Sequence, residues 1–511
     1  MKAGTHLVQH FRNLKKKTLI PIKEAAFYRG GTSKGLLISS SALFRFDQNA
    51  RDRILCKALG SPDPDGRQID GLGGGTSSTS KVAILSKVDS IYDRFADKLG
   101  HPFPLGAGAK KILESSESIA DKADIVYRFG QVSIKGDNEI DWGSTCGNMV
   151  SAAAHYAIRQ SLYVPELAKY FTSQDQLSPS ILERLRNSFD VTVRVLAHDS
   201  GKIIKVHTRA EFVRLGKGIH VQPIEHGDVS IAGVPGTASG IVVETPLQGG
   251  SVLSTGNEKD TIEVDGKQIE VSIVNTGLPV VFVHANSLGI PISDLTQHPA
   301  SIDANKPLIE LLERVRHAAC QLTPQLQSTY SKPSPKLCVI HEPVSYTTTG
   351  RVEVDADEMD IFIRVLSSGQ LHRTVPATTL SATAAAKCHE KTIVAELVRK
   401  EYQGGRKVPE NTQSLSNQIS RILSINGNHN MVTVGQPAGL TSTCVEVNEK
   451  TKEPMAVFDV RSARQIMYGN ITVPYDVEPG RDLASSLSGL EGYREISTNI
   501  LDVLPEGEIS G

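Results

Sequence analysis

Asp141-Trp142-Gly143-Ser144-Thr145-Cys146-Gly147-Asn148 follows a strand-like run, Ile125 to Tyr127 and Val132 to Ile134, and opens a small-residue helix expected over Met149 to Leu162. The order is strand, turn, helix, and the rest of the chain is organised around it. A thiol in that turn sits at a helix N-terminus. Unpaired N–H groups and the positive end of the helix dipole favour a thiolate or a bound carboxylate there. A lone cysteine in such a place is more often a small packing residue, so its reading depends on its company.

At 511 residues the chain is too long for one ordinary core, and two or more domains are expected. Hydrophobic residues at 39% and charged residues at 22% read as globular. Lys+Arg 55 against Asp+Glu 56 leaves a net charge of −1, so no overall field points to nucleic acid or membrane as partner. No apolar run is long enough to span a bilayer. The six cysteines, Cys56, Cys146, Cys320, Cys338, Cys388 and Cys444, show no CxxC spacing. That argues against zinc, iron–sulfur and disulfide frameworks and fits a reducing, cytoplasmic setting. Residues 1–23 contain no acid and carry Arg12, Lys15, Lys16 and Lys17, with Leu7, Phe11 and Leu14 able to share a helical face. A mitochondrial presequence is the alternative to a solvated basic terminus.

Along the chain, Ala25 to Ser39 reads as strand, Gly-rich turn and strand, and a helix is expected from about Asp47 to Leu59. A Gly/Ser/Thr loop, Gly71 to Lys81, leads into the strand Val82 to Leu85, and 89–124 reads as charged and loop-like with one helix around Lys110 to Lys122. Phe189 to Thr208 alternates as a hairpin around Asp199 to Lys202, and a pattern break near Arg214 to Gly218 marks a domain boundary. The second half repeats the rhythm. It has the hairpin Thr261 to Val274 and strands at Val280–Val283, Lys336–Ile340, Glu358–Val365, Met431–Val434 and Val457–Val460. An alanine-rich helix, Ala382 to Arg399, is expected to be capped by Thr378-Thr379-Leu380-Ser381, and 403–418 is polar.

Three loops of the first half, 30–35, 71–81 and 143–148, set glycines beside Ser, Thr, Lys or Cys. Glycine lets main-chain N–H groups approach a ligand, and hydroxyls add donors, which suits carboxylate or phosphate. The phosphate motifs fail: Gly71-x-Gly73 lacks the third glycine of GxGxxG, and no GxxxxGK[ST] occurs. His-Glu-x-x-His is absent, and Asp63-x-Asp65 and Asp355-x-Asp357 read as solvated turns, so no metal is expected. Gly31-Thr-Ser33-Lys-Gly35 spells GxSxG, but a strand follows where a nucleophile elbow needs a helix. Acid/base chemistry on a carboxylate remains, with Cys146 and Lys81 taking and returning the proton. Against this, Lys81 alone reads as a surface lysine at a strand start. Arg29 and Lys34 read as carboxylate partners or solvated loop charges, and His372 and His389 as structural or surface residues.

Phe27-Tyr-Arg-Gly-Gly-Thr-Ser-Lys-Gly35, Gly74-Gly-Thr-Ser-Ser-Thr-Ser-Lys81-Val and Asp141-Trp-Gly-Ser-Thr-Cys146-Gly-Asn148 together resemble the N-terminal signatures of the PrpF family, the 2-methylaconitate cis–trans isomerases and their relatives. Ala232-Gly-Val-Pro-Gly-Thr237, Leu253-Ser-Thr-Gly-Asn257 and Arg461-Ser-Ala-Arg-Gln-Ile-Met-Tyr-Gly469 resemble its later ones, in order, from about 22 to 475. The resemblance implies an α/β (α+β) fold of two similar diaminopimelate epimerase-like domains, each a mixed sheet wrapped around a central helix, with the site in the cleft between them. The domains would be 22–213, with an insert at about 89–124, and 214–480. A basic extension, 1–21, would precede them and a tail, 481–511, able to return to the first domain, would follow. It implies cofactor-independent proton transfer on small unsaturated di- or tricarboxylates through a dienolate, by cis–trans change or double-bond shift. Lys81 and Cys146 match the family's acid/base positions; Thr32, Ser33, Thr76, Ser77, Gly147 and Asn148 would line the substrate carboxylates, with Thr379 and Ser381 candidates in the second half. No metal, cofactor, nucleic acid or membrane partner is implied, and a homodimer is compatible.

Some stretches depart from the family pattern. Asn275-Thr-Gly-Leu-Pro279 stands where an Asp-Ala-Ala-Asn-Pro-like sequence is usual, and Gly435-Gln-Pro-Ala-Gly439 replaces a Gly-His-Pro-like one. These bear on substrate identity more than on reaction type. The alternatives are a 4-oxalomesaconate-type keto-acid tautomerase, an amino-acid racemase or epimerase, and a silent carboxylate-binding member. The racemase reading wants a thiol in each half, and Cys388 lies too deep in its helix to supply the second.

Overall fold

The stretch after Cys146 forms a helix buried from Met149 to Ile158, its Ala152, Ala153, Ala154 and Ala157 small enough for strands to pack all around it. The computed structural model describes residues 19–114, 122–136, 139–143, 145–166, 188–215, 218–247, 251–331, 334–367, 369–398, 431–448 and 453–474. In chain order the elements begin β1 (Leu19–Gly30), β2 (Ser33–Ser39), α1 (Gln48–Leu59), β3 (Lys81–Lys87), α2 (Ile91–Lys98) and α3 (Ala107–Leu113). They continue β4 (Ile125–Val132), β5 (Ile140–Asp141), α4 (Gly147–Arg159), β6 (Phe189–Ala197), β7 (Ile203–Leu215) and β8 (Gly218–Pro223). Next come β9 (Val229–Ile231), β10 (Val234–Ala238), β11 (Ile241–Pro246), β12 (Asp260–Val264), β13 (Lys267–Asn275) and β14 (Pro279–His284). Then follow α5 (Ile292–Leu295), α6 (Pro299–Ala304), α7 (Lys306–Cys320), α8 (Pro324–Thr329), β15 (Lys336–His341), β16 (Tyr346–Thr347) and β17 (Glu353–Val354). The last are β18 (Ile361–Ser367), β19 (Gln370–Leu371), α9 (Ala377–Lys387), α10 (Ile393–Leu397), β20 (Met431–Gln436), β21 (Gly439–Val447), β22 (Pro454–Arg461) and β23 (Ala463–Pro474).

The chain divides into two α/β units, each a mixed sheet around a central helix, as the fold reading expected. The first holds the described residues up to Ile203, Ala210–Pro223 and those from Ala463 on; the second holds Ile204–Arg209 and Ile224–Ser462. In the first, strands run β23–β1–β2–β3–β4–β6, with β2–β3 and β4–β6 parallel. Helix α4 lies against β1, β2, β23, β3, β4, β6 and β8, and α1 packs the core formed with Leu36, Ile38, Val82 and Ile84. In the second, the order is β12–β13–β14–β15–β18–β20–β21–β22–β11, with β14–β15 and β18–β20 parallel. Helix α9 packs its leucine and alanines against these strands' Val280, Phe282, Ile363, Val432 and Val457.

Local chemistry explains most boundaries. Asp47 caps α1 by accepting from Ala50 N at 2.8 Å, and Gly60 ends it in the left-handed region at φ +81°. Asp265 and Gly266, at φ +53° and +75°, make the two-residue turn of the β12–β13 hairpin.

Two expectations need correction. Residues 89–124 are not loop-like throughout: they contain α2 and α3, and the buried Arg51 guanidinium donates to the Pro102 carbonyl at 2.8 Å. The alanine-rich helix is α9, which starts at Ala377 after Pro376 and stops at Lys387. Thr379 and Ser381 therefore lie inside it and do not cap it. A proline already supplies the entry backbone angle, and Thr392, by accepting from Ala395 N at 3.1 Å, starts the separate α10. The Arg461–Gly469 motif is mostly strand. It belongs to β23, which pairs with β1 in the first unit from Leu19↔Pro474 to Gly30↔Ala463. Of the expected extension 1–21, residues 19–21 open β1, while 1–18 lie outside the described residues, as do the polar stretch 403–418 and the tail 481–511.

Candidate active site

The three Gly-rich loops of the first half are bonded to one another. The β1–β2 turn is two residues long, Gly30 pairing Ser33 across Gly31 and Thr32, with Gly31 at φ +49°. A Cβ on Gly30 would stand 2.3 Å from the Asn148 carbonyl oxygen, so only glycine lets this turn reach the first turn of α4. Asn148 returns the contact: its Nδ2 donates to Thr32 Oγ1 at 3.1 Å and to Ser33 Oγ at 3.4 Å. The second link is main chain, Lys34 N donating to the Ser78 carbonyl at 2.8 Å. Gly35 then faces Lys81 across the parallel β2–β3 pair, where a Cβ would meet the Lys81 carbonyl at 2.7 Å.

Lys81 is 8% exposed. Its Nζ donates to Gln131 Oε1 at 2.7 Å and lies 5.1 Å from the centroid of the Phe129 ring. Gln131 is held in turn by its Nε2, which donates to the Ser80 carbonyl at 2.9 Å. Cys146 is half-buried and is the N-cap residue of α4, with extended backbone and no side-chain cap bond. Its carbonyl accepts from Met149 N at 3.0 Å, Val150 N at 3.2 Å and the Tyr127 hydroxyl at 3.4 Å. Gly147 and Asn148 are the helix's first residues, so their amides have no intrahelical acceptor. Tyr127, Phe129 and Gln131 alternate along β4 and share one face. One strand face thus touches both Lys81 and the Cys146 turn. Burial, then the nearby Cys146 thiol and Asp199, raises the Tyr127 phenol well above its ordinary range, which keeps it a hydrogen-bond donor.

The remaining candidates divide. Arg29 Nη1 donates to the Gly31 carbonyl at 3.1 Å and braces the turn. Thr76 and Ser77 are exposed, and the Thr76 hydroxyl shares hydrogens with Ser78 Oγ at 3.0 Å and Thr79 Oγ1 at 2.8 Å. Thr379 and Ser381 belong to the second unit and are buried in α9, where Ser381 Oγ donates back to the Ala377 carbonyl at 2.9 Å.

Gln131, Phe129 and Tyr127 escaped the sequence reading, although alternation along β4 was the available signal. Gln68 escaped it too. Buried inside the Gly71–Ser80 loop, its Oε1 accepts from Ser80 Oγ at 2.6 Å and Gly75 N at 3.0 Å, while its Nε2 donates to Ser61 Oγ at 2.8 Å. The turn before Cys146 is anchored by Trp142, whose Nε1 donates to Asp52 Oδ1 at 3.1 Å and whose carbonyl accepts from His198 Nε2.

The chain is 29% identical over 471 residues to a 2-methyl-aconitate isomerase of Shewanella oneidensis, covering 89% of this chain and 97% of that one. It is 27% identical over 458 residues to a 3-methylitaconate isomerase of Eubacterium barkeri, covering 87% and 95%. A crystal structure of methylitaconate-delta-isomerase superposes with a TM-score of 0.61 at 25% identity, covering 90% of this chain and 96% of that one. The model of the family described as PrpF protein matches residues 20–96 and 96–409, which is most of the sequence, and the chain belongs to that family.

Proposed function

We propose that the protein is a cofactor-independent isomerase of small unsaturated di- or tricarboxylates, of the aconitate or methylaconitate kind. The observation that carries this is the bonding of the three Gly-rich loops around Lys81 and the helix-opening Cys146. In this reading the amides of Gly147 and Asn148, with the hydroxyls of Thr32 and Ser33, seat one substrate carboxylate. Thr76 and Ser77 offer exposed donors, and Arg29 and Lys34 contribute positive charge. Lys81 and Cys146 form the acid/base pair. One removes a proton from the carbon next to the double bond, and the electron pair moves through the double bond into the carboxylate to give a dienolate. The other delivers a proton, either to the far carbon, which shifts the double bond, or to the original carbon after rotation, which exchanges cis and trans. Preorganised donors at a helix N-terminus stabilise the charge that develops on the carboxylate. Gln131 holds the Lys81 side chain in place between turnovers.

The named relatives act on methyl-aconitate and methylitaconate, so the reading draws its substrate class from both chemistry and kinship. The test is a panel of unsaturated di- and tricarboxylates, with keto acids and amino acids included, followed by NMR in heavy water. Isomerised product carrying solvent deuterium is expected for at least one aconitate-like acid. Lys81→Ala and Cys146→Ala should each lower kcat by at least about a hundredfold while circular dichroism is unchanged. Undiminished turnover in both variants would overturn the mechanism. Turnover confined to amino acids would replace the isomerase with a racemase.

A further inference from the structure

His284 and His341 are the last residues of β14 and β15, two adjacent parallel strands of the second unit. The register sets His284 opposite Ile340, so His341 stands one residue farther along the same strand ends. Glu342 follows directly. Among the described residues, these three alone place three metal-ligating side-chain atoms together, all within 4.8 Å of one another. Their side chains are 19%, 17% and 50% exposed, so the histidines are sheltered and the carboxylate reaches solvent. The acid/base chemistry proposed above uses none of them.

The distances suit a cation. His284 Nε2 is 3.2 Å and His341 Nδ1 3.5 Å from Glu342 Oε2. Tetrahedral ligands at zinc-type bond lengths of about 2.0–2.1 Å stand about 3.4 Å apart, so both carboxylate–imidazole edges are already near that length. The imidazole rings lie 5.8 Å apart and tilted by 55°, which leaves the third edge to close by ring rotation. Strand ends hold the two histidine backbones and Glu342 is the next residue after β15, so the ordering cost of bringing together residues 58 apart in sequence is met by the fold.

We propose that His284, His341 and Glu342 form a three-ligand site for a divalent transition cation of the zinc, cobalt or nickel type, with water in the remaining position. Two imidazoles disfavour calcium and magnesium, which take oxygen ligands, and the absence of a thiolate or thioether from the trio disfavours copper(I). Without metal, His341 Nδ1 contacts the Glu342 carbonyl at 2.9 Å. Coordination takes the Nδ1 lone pair, and the ring carries its proton on Nε2. The cation would then clasp the ends of β14 and β15.

The test uses the full chain without an affinity tag, stripped with a chelator and titrated with cobalt(II) chloride. One equivalent is expected to give visible d–d bands of a low-symmetry nitrogen/oxygen site with no thiolate charge-transfer band. Zinc(II) chloride should displace it and raise the Tm by a few degrees. His284→Ala/His341→Ala should abolish the bands, and Glu342→Gln, which leaves both strand ends intact, should weaken binding at least about tenfold. Bands that persist in the double variant, a thiolate band, or affinity unchanged in Glu342→Gln would each overturn the proposal.

Discussion

Gly30 shows how a single atom governs the candidate site. Its missing Cβ is the gap through which the β1–β2 turn meets the Asn148 carbonyl. Gly30→Ala must push the turn away from α4, an overpacking cost of about 1–3 kcal/mol, and should separate Thr32 and Ser33 from Asn148. We expect a lower Tm and a larger loss in kcat/KM than the stability loss alone produces, measured by thermal denaturation beside kinetics with an isomerised acid. Gln131→Leu makes a second prediction. It removes the acceptor of Lys81 Nζ while preserving the side chain's approximate length, so kcat should fall about tenfold or more with secondary structure unchanged by circular dichroism. Lys81 and Cys146 stand out in sequence as candidates because glycine and hydroxyl residues crowd their own loops. Gln131 could not, since a strand's alternation gives two faces without saying which one meets a lysine 50 positions away.

At the scale of elements, α1 and α4 carry opposed titrations. Asp52 of α1 has its carboxyl pushed up to about 6 by burial, against the hydrogen bonds from Trp142 and Gln48 that lower it. The folded state therefore holds the Asp52 proton more tightly than the unfolded chain, and this contribution to stability fades as pH rises from about 4 to 6. His155 of α4 is fully buried, and that burial pushes its imidazole down to about 3. Its contribution is present above the unfolded value of 6.5 and is lost as pH falls toward 3. The two slopes oppose each other between pH 4 and 6. Asp52→Asn retains a carbonyl acceptor for Trp142 and removes one slope. Its Tm should then fall more steeply than the wild type's as pH drops from 6 to 4; parallel curves would refute the assignment. These helices were legible in sequence through Asp47, Gly60 and the run of small residues after Cys146. The start of α9 was misread because hydroxyls at Thr378, Thr379 and Ser381 look like caps when Pro376 is overlooked.

For the whole molecule, the decisive pairing joins residues more than four hundred positions apart. Val473 of β23 is 1% exposed in the same core as Ile22, Leu36 and Phe44. Val473→Asp buries an unpaired charge, for which a loss on the order of 4 kcal/mol is expected, and that loss should fall on the first unit. Hydrogen exchange should show α4 and β1 losing protection while β13 and β14 keep theirs. The sequence displayed β23 as a motif but hid its partner, because strand pairing depends on register and topology that local pattern does not encode. A shorter separation, 58 positions from His284 to Glu342, hides that cluster in the same way.

The pairing of β1 with β23 also orders events at the ribosome. The second unit, Ile204–Arg209 and Ile224–Ser462, lies between segments of the first and is complete at Ser462, before any residue of β23 has been made. At about 5–20 residues per second, roughly 20–90 s separate the synthesis of β1 from that of its partner. During that interval one edge of β1 is an unpaired strand open to neighbouring nascent chains. The nascent protein therefore reverses the usual N-terminal-first order: the unit that holds β1 closes only after the second unit has been made.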